Sequence, residues 1–412
     1  MAVNILTGKS VAAFATTVAV TCLVGVFFCG WGRAESSAPP RLAAHTPDHP
    51  PPLWGGLDYG RFAIGFSVIL LHDEARTMPG TELPRPILVS LWYPASQSSD
   101  EGHLSYRDYV VAAAGETLQK PPSNTEQDGA LQAFRELVSS TGVSPEAIDA
   151  WLSSPMAAVV DAPHAGGRFP LVVILPGTFH TAYHHAILAE YLASHGYIVA
   201  VAPSPSRLDG PPREEEEILP AARQQEEDVR FLVRRLAGDR RVAPGPVGLV
   251  GHSFGARAAL LIALDVPVAG LVSFDGGIAS ATGGSWLDGV TFDRRAIRVP
   301  ILHIYEETDE VIQPDFRLLQ SLVSSERLLV RIDGFRHVYF TSLGMVFGLV
   351  PGMAIEEMGP SVVEKSRAVA QLTLWFLDRT LHHRGLEEPP SGLLNQKWFS
   401  VVRLRPVEGG DE

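Results

Sequence analysis

The sequence predicts an α/β fold, with a mostly parallel central sheet and helices on both faces, and three observations predict it. Unbroken apolar runs of strand length, such as Phe169-Pro-Leu-Val-Val-Ile-Leu175 and Val247-Gly-Leu-Val250, alternate with segments of helical periodicity. Strands buried on both faces read as continuous apolar runs, which is the mark of a parallel sheet. The strand ending at Leu175, the helix from Ala186 to His195 and the strand from Tyr197 to Ala202 make a right-handed βαβ unit. The third observation is Gly251-His-Ser-Phe-Gly255, set between an apolar strand and the helix-forming run Ala256-Arg-Ala-Ala-Leu260.

That stretch organises the chain. In a strand-turn-helix elbow the residues two before and two after the serine must be small, because a Cβ at either would collide with neighbouring backbone. Gly251 and Gly255 meet the requirement, so Ser253 is expected to stand exposed above the sheet as a nucleophile. The N–H of Phe254 then points at the same spot from a helix N-terminus, where negative charge is favoured.

The bulk composition narrows the function. The 412 residues carry a formal net charge of −13, which argues against nucleic acid as a partner. Apolar residues make up 46% and charged residues 19%, ordinary for a globular chain. The two cysteines, Cys22 and Cys29, both lie near the N-terminus, so the rest of the chain has no disulfide, thiol nucleophile or thiolate metal site.

Residues 1–34 read as a signal peptide or an N-terminal membrane anchor: Lys9, an uncharged run from Val11 to Trp31, then Arg33. The run is about 20 residues, long enough to span a bilayer, so both readings stand. Either puts the bulk of the chain outside the cytoplasm, secreted, periplasmic or held at a membrane. Residues 35–58, with Pro39-Pro40 and Pro50-Pro51-Pro52, read as a linker. The folded domain is expected over 59–382, with 383–412 a tail packed on its surface.

Within the domain, Phe62–Leu71 and Arg85–Pro94 read as a leading antiparallel pair. The segment of about 105–162 delays the next strand and carries helical periodicity at Leu131–Val138 and Pro145–Leu152. It reads as a helical insertion near the active site, a lid or pocket wall, or else as a plain structural pair. The acidic run Glu214–Glu217 is a solvated face. Strands Ala269–Phe274, Val299–Tyr305 and Leu328–Ile332 follow the elbow, and a helix from Ser361 to Thr380 closes the fold.

The remaining chemistry is placed at strand ends. Pro176-Gly177 lets the next loop turn back over Ser253, making the N–H of Thr178 the second oxyanion donor, with Phe179 as fallback. His337, in the loop after the last apolar strand, is the expected base. The acid is Asp275, ending the strand after the elbow helix, or Asp309, ending the next one. Each has a plainer role, in an Asp-Gly turn or as a helix cap. His180, His184 and His185 cluster near the cleft and are read as pocket lining rather than metal ligands.

The order Ser, Asp, His along alternating strands and helices matches an α/β-hydrolase fold. Ser105-Tyr-Arg-Asp108, Leu91-Trp-Tyr-Pro-Ala95, Leu192-Ala-Ser-His-Gly-Tyr-Ile-Val-Ala200, Gly251-His-Ser-Phe-Gly-Ala256 and Ser273-Phe-Asp-Gly276 together resemble the platelet-activating-factor acetylhydrolase and dienelactone-hydrolase-like branch of that superfamily. In the acetylhydrolases the resemblance puts the acid at Asp275. In the dienelactone and polyester hydrolases it puts it at Asp309; Asp275 is favoured. Pro176-Gly177 stands where the branch usually has His-Gly, and a serine where true dienelactone hydrolases have cysteine. The expectation is an exported serine hydrolase of carboxylic esters, on a small-molecule or lipid substrate, needing no cofactor or metal. An amide or polyester hydrolase, and a non-catalytic binding protein on the same fold, are the alternatives.

Overall fold

The computed structural model describes residues 50–407 apart from 79, 97–101, 119, 207–209, 281–283, 289–290, 309–310, 354–360, 383–387 and 391. The expected signal or anchor and most of the expected linker lie outside the described residues, as does Asp309.

The expected leading pair forms as strands β1 (Ala63–Thr77) and β2 (Pro84–Ala95), antiparallel with Ala63 opposite Ala95. Two short strands follow in chain order, β3 (His103–Ser105) and β4 (Pro155–Val160). Then come β5 (Leu171–Leu175), β6 (Ile198–Val201), β7 (Val247–His252), β8 (Val268–Phe274), β9 (Ile301–Tyr305) and β10 (Arg327–Ile332). A last strand, β11, spans Phe399–Leu404. All join one sheet in the order β11-β10-β9-β8-β7-β5-β6-β2-β1-β4-β3, and from β6 to β10 every pairing is parallel.

Strand β5 shows why continuous apolar runs are used here. Val172 and Ile174 pack into the core on one face of the sheet, while Leu171, Val173 and Leu175 pack into the core on the other. Burying each such side chain contributes about 2 kcal/mol, and a polar residue at either register would lose it on one face.

The insertion contains three helices, α1 (Tyr106–Leu118), α2 (Asn124–Ser140) and α3 (Pro145–Leu152). Ser123 and Glu126 close a capping box at the start of α2, and Ser144 caps α3 with Pro145 in its first turn. The stretch is not wholly helical: β4 runs parallel to β1 and extends the sheet, because Met156-Ala-Ala-Val159 alternates into two buried faces. The helices lean on the loop after β5, with Tyr106 Oη donating to the Tyr183 carbonyl at 2.7 Å and Glu116 accepting from the Ala182 N–H at 2.9 Å. The insertion is thus a wall against that loop.

Two domain boundaries differ from the sequence reading. Residues 50–58 are not linker: Pro52–Trp54 forms a turn of 3-10 helix, and Leu53, Trp54 and Leu57 are buried. Proline clusters masked three apolar anchors there. The C-terminal segment is more than a surface tail, since β11 pairs antiparallel with β10, Phe399 opposite Ile332. Val401 and Val402 are exposed on it, so its apolar count could not announce an edge strand.

Among the described residues six more helices form the layers: α4 (Ala186–Ser194), α5 (Glu215–Ala237), α6 (Gly255–Ile262), α7 (Arg317–Ser321), α8 (Leu343–Leu349) and α9 (Ser361–Leu381). Glu215, Glu216 and Glu217 occupy the first turn of α5 and Arg234 and Arg235 its last, each matched to the helix dipole. Among the described residues no helix is long and apolar enough to cross a membrane.

Candidate active site

Strand β7 ends in the expected elbow. Ser253 has φ 51°, a left-handed backbone that costs a non-glycine residue about 1 kcal/mol or more and persists only where its surroundings enforce it. The enforcement is visible. A Cβ on Gly251 would come within 2.5 Å of the Ala256 backbone, and one on Gly255 would strike the Leu175 carbonyl. Helix α6 therefore starts immediately after the serine, leaving Ser253 half-buried at the sheet's carboxyl edge.

The elbow is stitched to the end of β8. Ser253 N–H donates to the Phe274 carbonyl at 3.0 Å, and Gly277 N–H donates to the Ser253 carbonyl at 2.8 Å. These bonds bracket Asp275, which is fully buried with φ 39°. Its own N–H is held by Ile304 in β9, and its Oδ2 lies 2.5 Å from His337 Nδ1. Of the two expected acids, Asp275 is the one the described structure joins to His337.

His337 opens a 3-10 turn, His337–Phe340, beyond the Asp333-Gly334 bend that follows β10. Lys365 of α9 fixes that bend, its Nζ donating to the carbonyls of Asp333 at 2.7 Å and Gly334 at 3.1 Å. Phe335 is fully buried edge-on to Tyr339 and Phe340, so the histidine is delivered from a packed base.

Behind this pair lies a set of buried imidazoles. His252 Nε2 is 3.3 Å from the His337 carbonyl, and the two rings are 4.8 Å apart between centroids. A carbonyl only accepts, so His252 carries its proton on Nε2, and its Nδ1 accepts from His180 Nδ1 at 3.1 Å. Burial pushes His252 and His180 well below the usual histidine range and takes His185 down to about 3. All three stay neutral beside His337. The sequence grouped His184 with His180 and His185; the structure keeps His184 stacked on His180 at 4.3 Å between centroids, with its Nδ1 accepting from the Thr181 N–H, and adds His252 to the set. His180, His185 and His252 offer ring nitrogens within 4.8 Å of one another, and a cation there would have to displace the His180–His252 hydrogen bond.

The loop after β5 approaches from the other side. A Cβ on Gly177 would lie 2.9 Å from Ser253 Cβ, so only glycine lets the loop pass this close. Thr178 follows, half-buried, and Phe179 has φ 61°. The Phe179 N–H is already given to Ser206 Oγ at 2.9 Å, which favours Thr178 over Phe179 as the second oxyanion donor. Among the described residues, three of the four non-glycine residues with positive φ, Phe179, Ser253 and Asp275, therefore meet at this one place. Such clustering of strain marks functional sites.

The fold, with its six-strand parallel core, is matched by a solved structure. The ferulic acid esterase from Streptomyces cinnamoneus superposes with a TM-score of 0.60, covering 83% of this chain and 97% of its own at 20% identity. The chain has the α/β-hydrolase fold. A family model described as Chlorophyllase matches residues 132–278 of the chain, a stretch that includes Ser253 and Asp275 and stops short of His337. No curated protein sequence matches the chain.

The sequence reading passed over Glu306. It directly follows β9, is fully buried, and its N–H faces Asp275 Oδ1 at 3.5 Å. Its signal was available, an acid directly after the apolar run Ile301–Tyr305, three residues before the Asp309 that drew attention instead.

Proposed function

We propose that this α/β-hydrolase is a serine hydrolase of carboxylic esters, working through an acyl-enzyme. The observation that carries the reading is the strained Ser253 bonded on both sides of an acid that grips His337. A binding protein has no use for a left-handed serine between two glycines that allow nothing larger, so the geometry favours catalysis over recognition. Ester rather than amide chemistry is supported by the esterase name of the structural neighbour.

In this reading Ser253 Oγ attacks the ester carbonyl while His337 Nε2 takes its proton. Asp275 holds Nδ1–H and so keeps Nε2 free to accept. The oxyanion is received by the N–H groups of Phe254 and Thr178. Collapse breaks the C–O bond, and the departing alcohol takes the proton from His337. Water then repeats the sequence on the acyl-enzyme, releasing the acid and restoring Ser253. Each protonation of His337 takes place next to neutral His252 and His180, which add no opposing charge.

The motif resemblance to the acetylhydrolase and dienelactone-hydrolase-like branch points to small-molecule or lipid esters. We also infer an extracytoplasmic location, from the export signal or anchor read at residues 1–34. A fluorophosphonate probe tests the central point: labelling at Ser253, absent in Ser253→Ala, is expected. Well-folded protein that takes no label would return the chain to the binding-protein reading.

A further inference from the structure

Helix α6 carries a cation in an unusual setting. Arg257 lies in its first turn, four residues past Ser253, and a long helical side chain there leans back toward the helix N-terminus, the nucleophile's end. The residue is only 8% exposed. Its guanidinium sits 5.4 Å from the Phe254 ring and 5.9 Å from the Trp286 ring. Nη2 donates to Ser280 Oγ at 3.1 Å, and Nε is enclosed without an acceptor. No carboxylate among the described residues pairs with it, and burial alone takes its pKa down to about 10.

The other buried arginines among the described residues make more hydrogen bonds, although Arg327 also encloses its Nε without an acceptor. Arg85 grips Asp228 through two bonds of 2.8 and 2.9 Å, and Arg327 donates to the carbonyls of Leu322 and Ser325. A guanidinium has five donors, and at Arg257 the Nε–H is enclosed with no acceptor in surroundings that penalise a bare charge.

Its neighbours are those of the reaction. Phe254 supplies the oxyanion N–H, and its ring flanks the guanidinium. Gly277, two residues past Asp275, is pressed so close that a Cβ would collide with the guanidinium carbon. Resting on the hydrolase reading above, we propose that Arg257 is an anion-binding subsite that receives a carboxylate carried by the ester, so that this enzyme prefers anionic esters to neutral ones. The planar fork accepts a carboxylate through two parallel N–H···O bonds, and the flanking rings orient it.

Two substrate pairs that differ only in charge test this on the full chain. One is para-nitrophenyl hydrogen adipate against its methyl ester, with the carboxylate on the acyl side. The other is para-carboxyphenyl butyrate against its methyl ester, with the carboxylate on the leaving group. In at least one pair the wild type is expected to favour the anion in kcat/KM by on the order of thirtyfold. Arg257→Met should bring that ratio close to one, while Arg257→Lys keeps part of it. Because methionine removes an unpaired charge and keeps an apolar stem, Arg257→Met should also raise Tm. Equal rates on both pairs for the wild type overturn the proposal. So does an Arg257→Met variant that melts lower with the ratio unchanged, the behaviour of a purely structural arginine. Should that variant not fold, competitive inhibition of the wild type by adipate and not by dimethyl adipate supports the subsite, and equal effects of the two refute it. Failure of the hydrolase reading itself would show differently, as no turnover of any ester and no fluorophosphonate label, while stabilisation of the protein by adipate would still report on Arg257.

Discussion

His337 Nδ1 and Asp275 Oδ2 are 2.5 Å apart, although 62 residues separate them in the chain. The contact is fixed from both ends: Asp275 by the bonds that tie Ser253 to Phe274 and Gly277, His337 by Lys365 and the buried Phe335. Only one neutral imidazole tautomer fits a carboxylate at Nδ1, and it leaves Nε2 unprotonated, as the proposed reaction requires.

Replacing Asp275 with asparagine therefore reverses the tautomer without moving the chain far. Asp275→Asn should lower kcat on a para-nitrophenyl ester by about 10⁴-fold with little change in KM. Asp309→Asn should cost far less. The reverse ranking would move the acid to Asp309, and equal small losses would remove both.

Gly177→Ala tests the close approach of the oxyanion loop. The new methyl would sit 2.9 Å from Ser253 Cβ and 3.1 Å from His252 Nδ1, so loop or nucleophile must shift. A displacement of about 1 Å at the reacting centre costs on the order of 10²-fold in rate. The expected result is a fall of that size in kcat with fluorophosphonate labelling slowed in parallel. Unchanged rates would mean that Thr178 does not reach the oxyanion.

Buried neutral histidines make stability depend on acid. His303, fully enclosed and bonded to Ser273 Oγ at 3.0 Å, is taken down to about 3 by burial, as is His185, and His180 and His252 are lowered well below their ordinary value. A histidine in the unfolded chain protonates near pH 6.5, so below that pH the unfolded state binds more protons and is favoured. The loss begins as pH falls through about 6.5 and runs on toward 3, at about 1.4 kcal/mol per pH unit for each group. Unfolding at pH 5 should take up about one proton fewer in His303→Gln than in the wild type. An identical uptake would show that His303 is not buried neutral.

How far the sequence foretold this molecule follows from what each signal depends on. The β5 strand, the elbow and the Asp275 turn depend on a residue and its near neighbours, so runs such as Leu171–Leu175 and Gly251–Gly255 announced them. The place of His337 beside Asp275 followed from its position after the last apolar strand. What escaped depended on distant partners. His252 reads as a mere elbow residue until His180 and the His337 carbonyl are brought to it. Glu306 lay hidden beside Asp309, and β11 had no apolar face to advertise. The residues 50–58 misled most, because three buried anchors stand among prolines that by composition alone describe a linker.

That last segment yields a prediction about folding. Trp54 stacks on Tyr59 at 5.2 Å, meets Tyr191 edge-on, and donates from Nε1 to Glu190 Oε2 at 3.0 Å. Glu190 is fully buried, and burial raises its pKa, while hydrogen bonds from Tyr109, Trp54 and the N–H groups of Ala158 and Ala157 offset that by favouring the charged form. Trp54→Ala removes a large side chain and one of these donors together, and should cost about 4 kcal/mol in urea unfolding. Trp54→Phe keeps most of the packing and loses only the donor, so about 1 to 2 kcal/mol is expected. Both variants should retain turnover per folded molecule, since the Trp54 side chain packs on Tyr59, Tyr191 and Glu190 rather than against Ser253. A chain starting at residue 59 should then be less stable than one starting at residue 50 by more than the alanine variant. Equal stability of the two truncations would return residues 50–58 to the status of a linker.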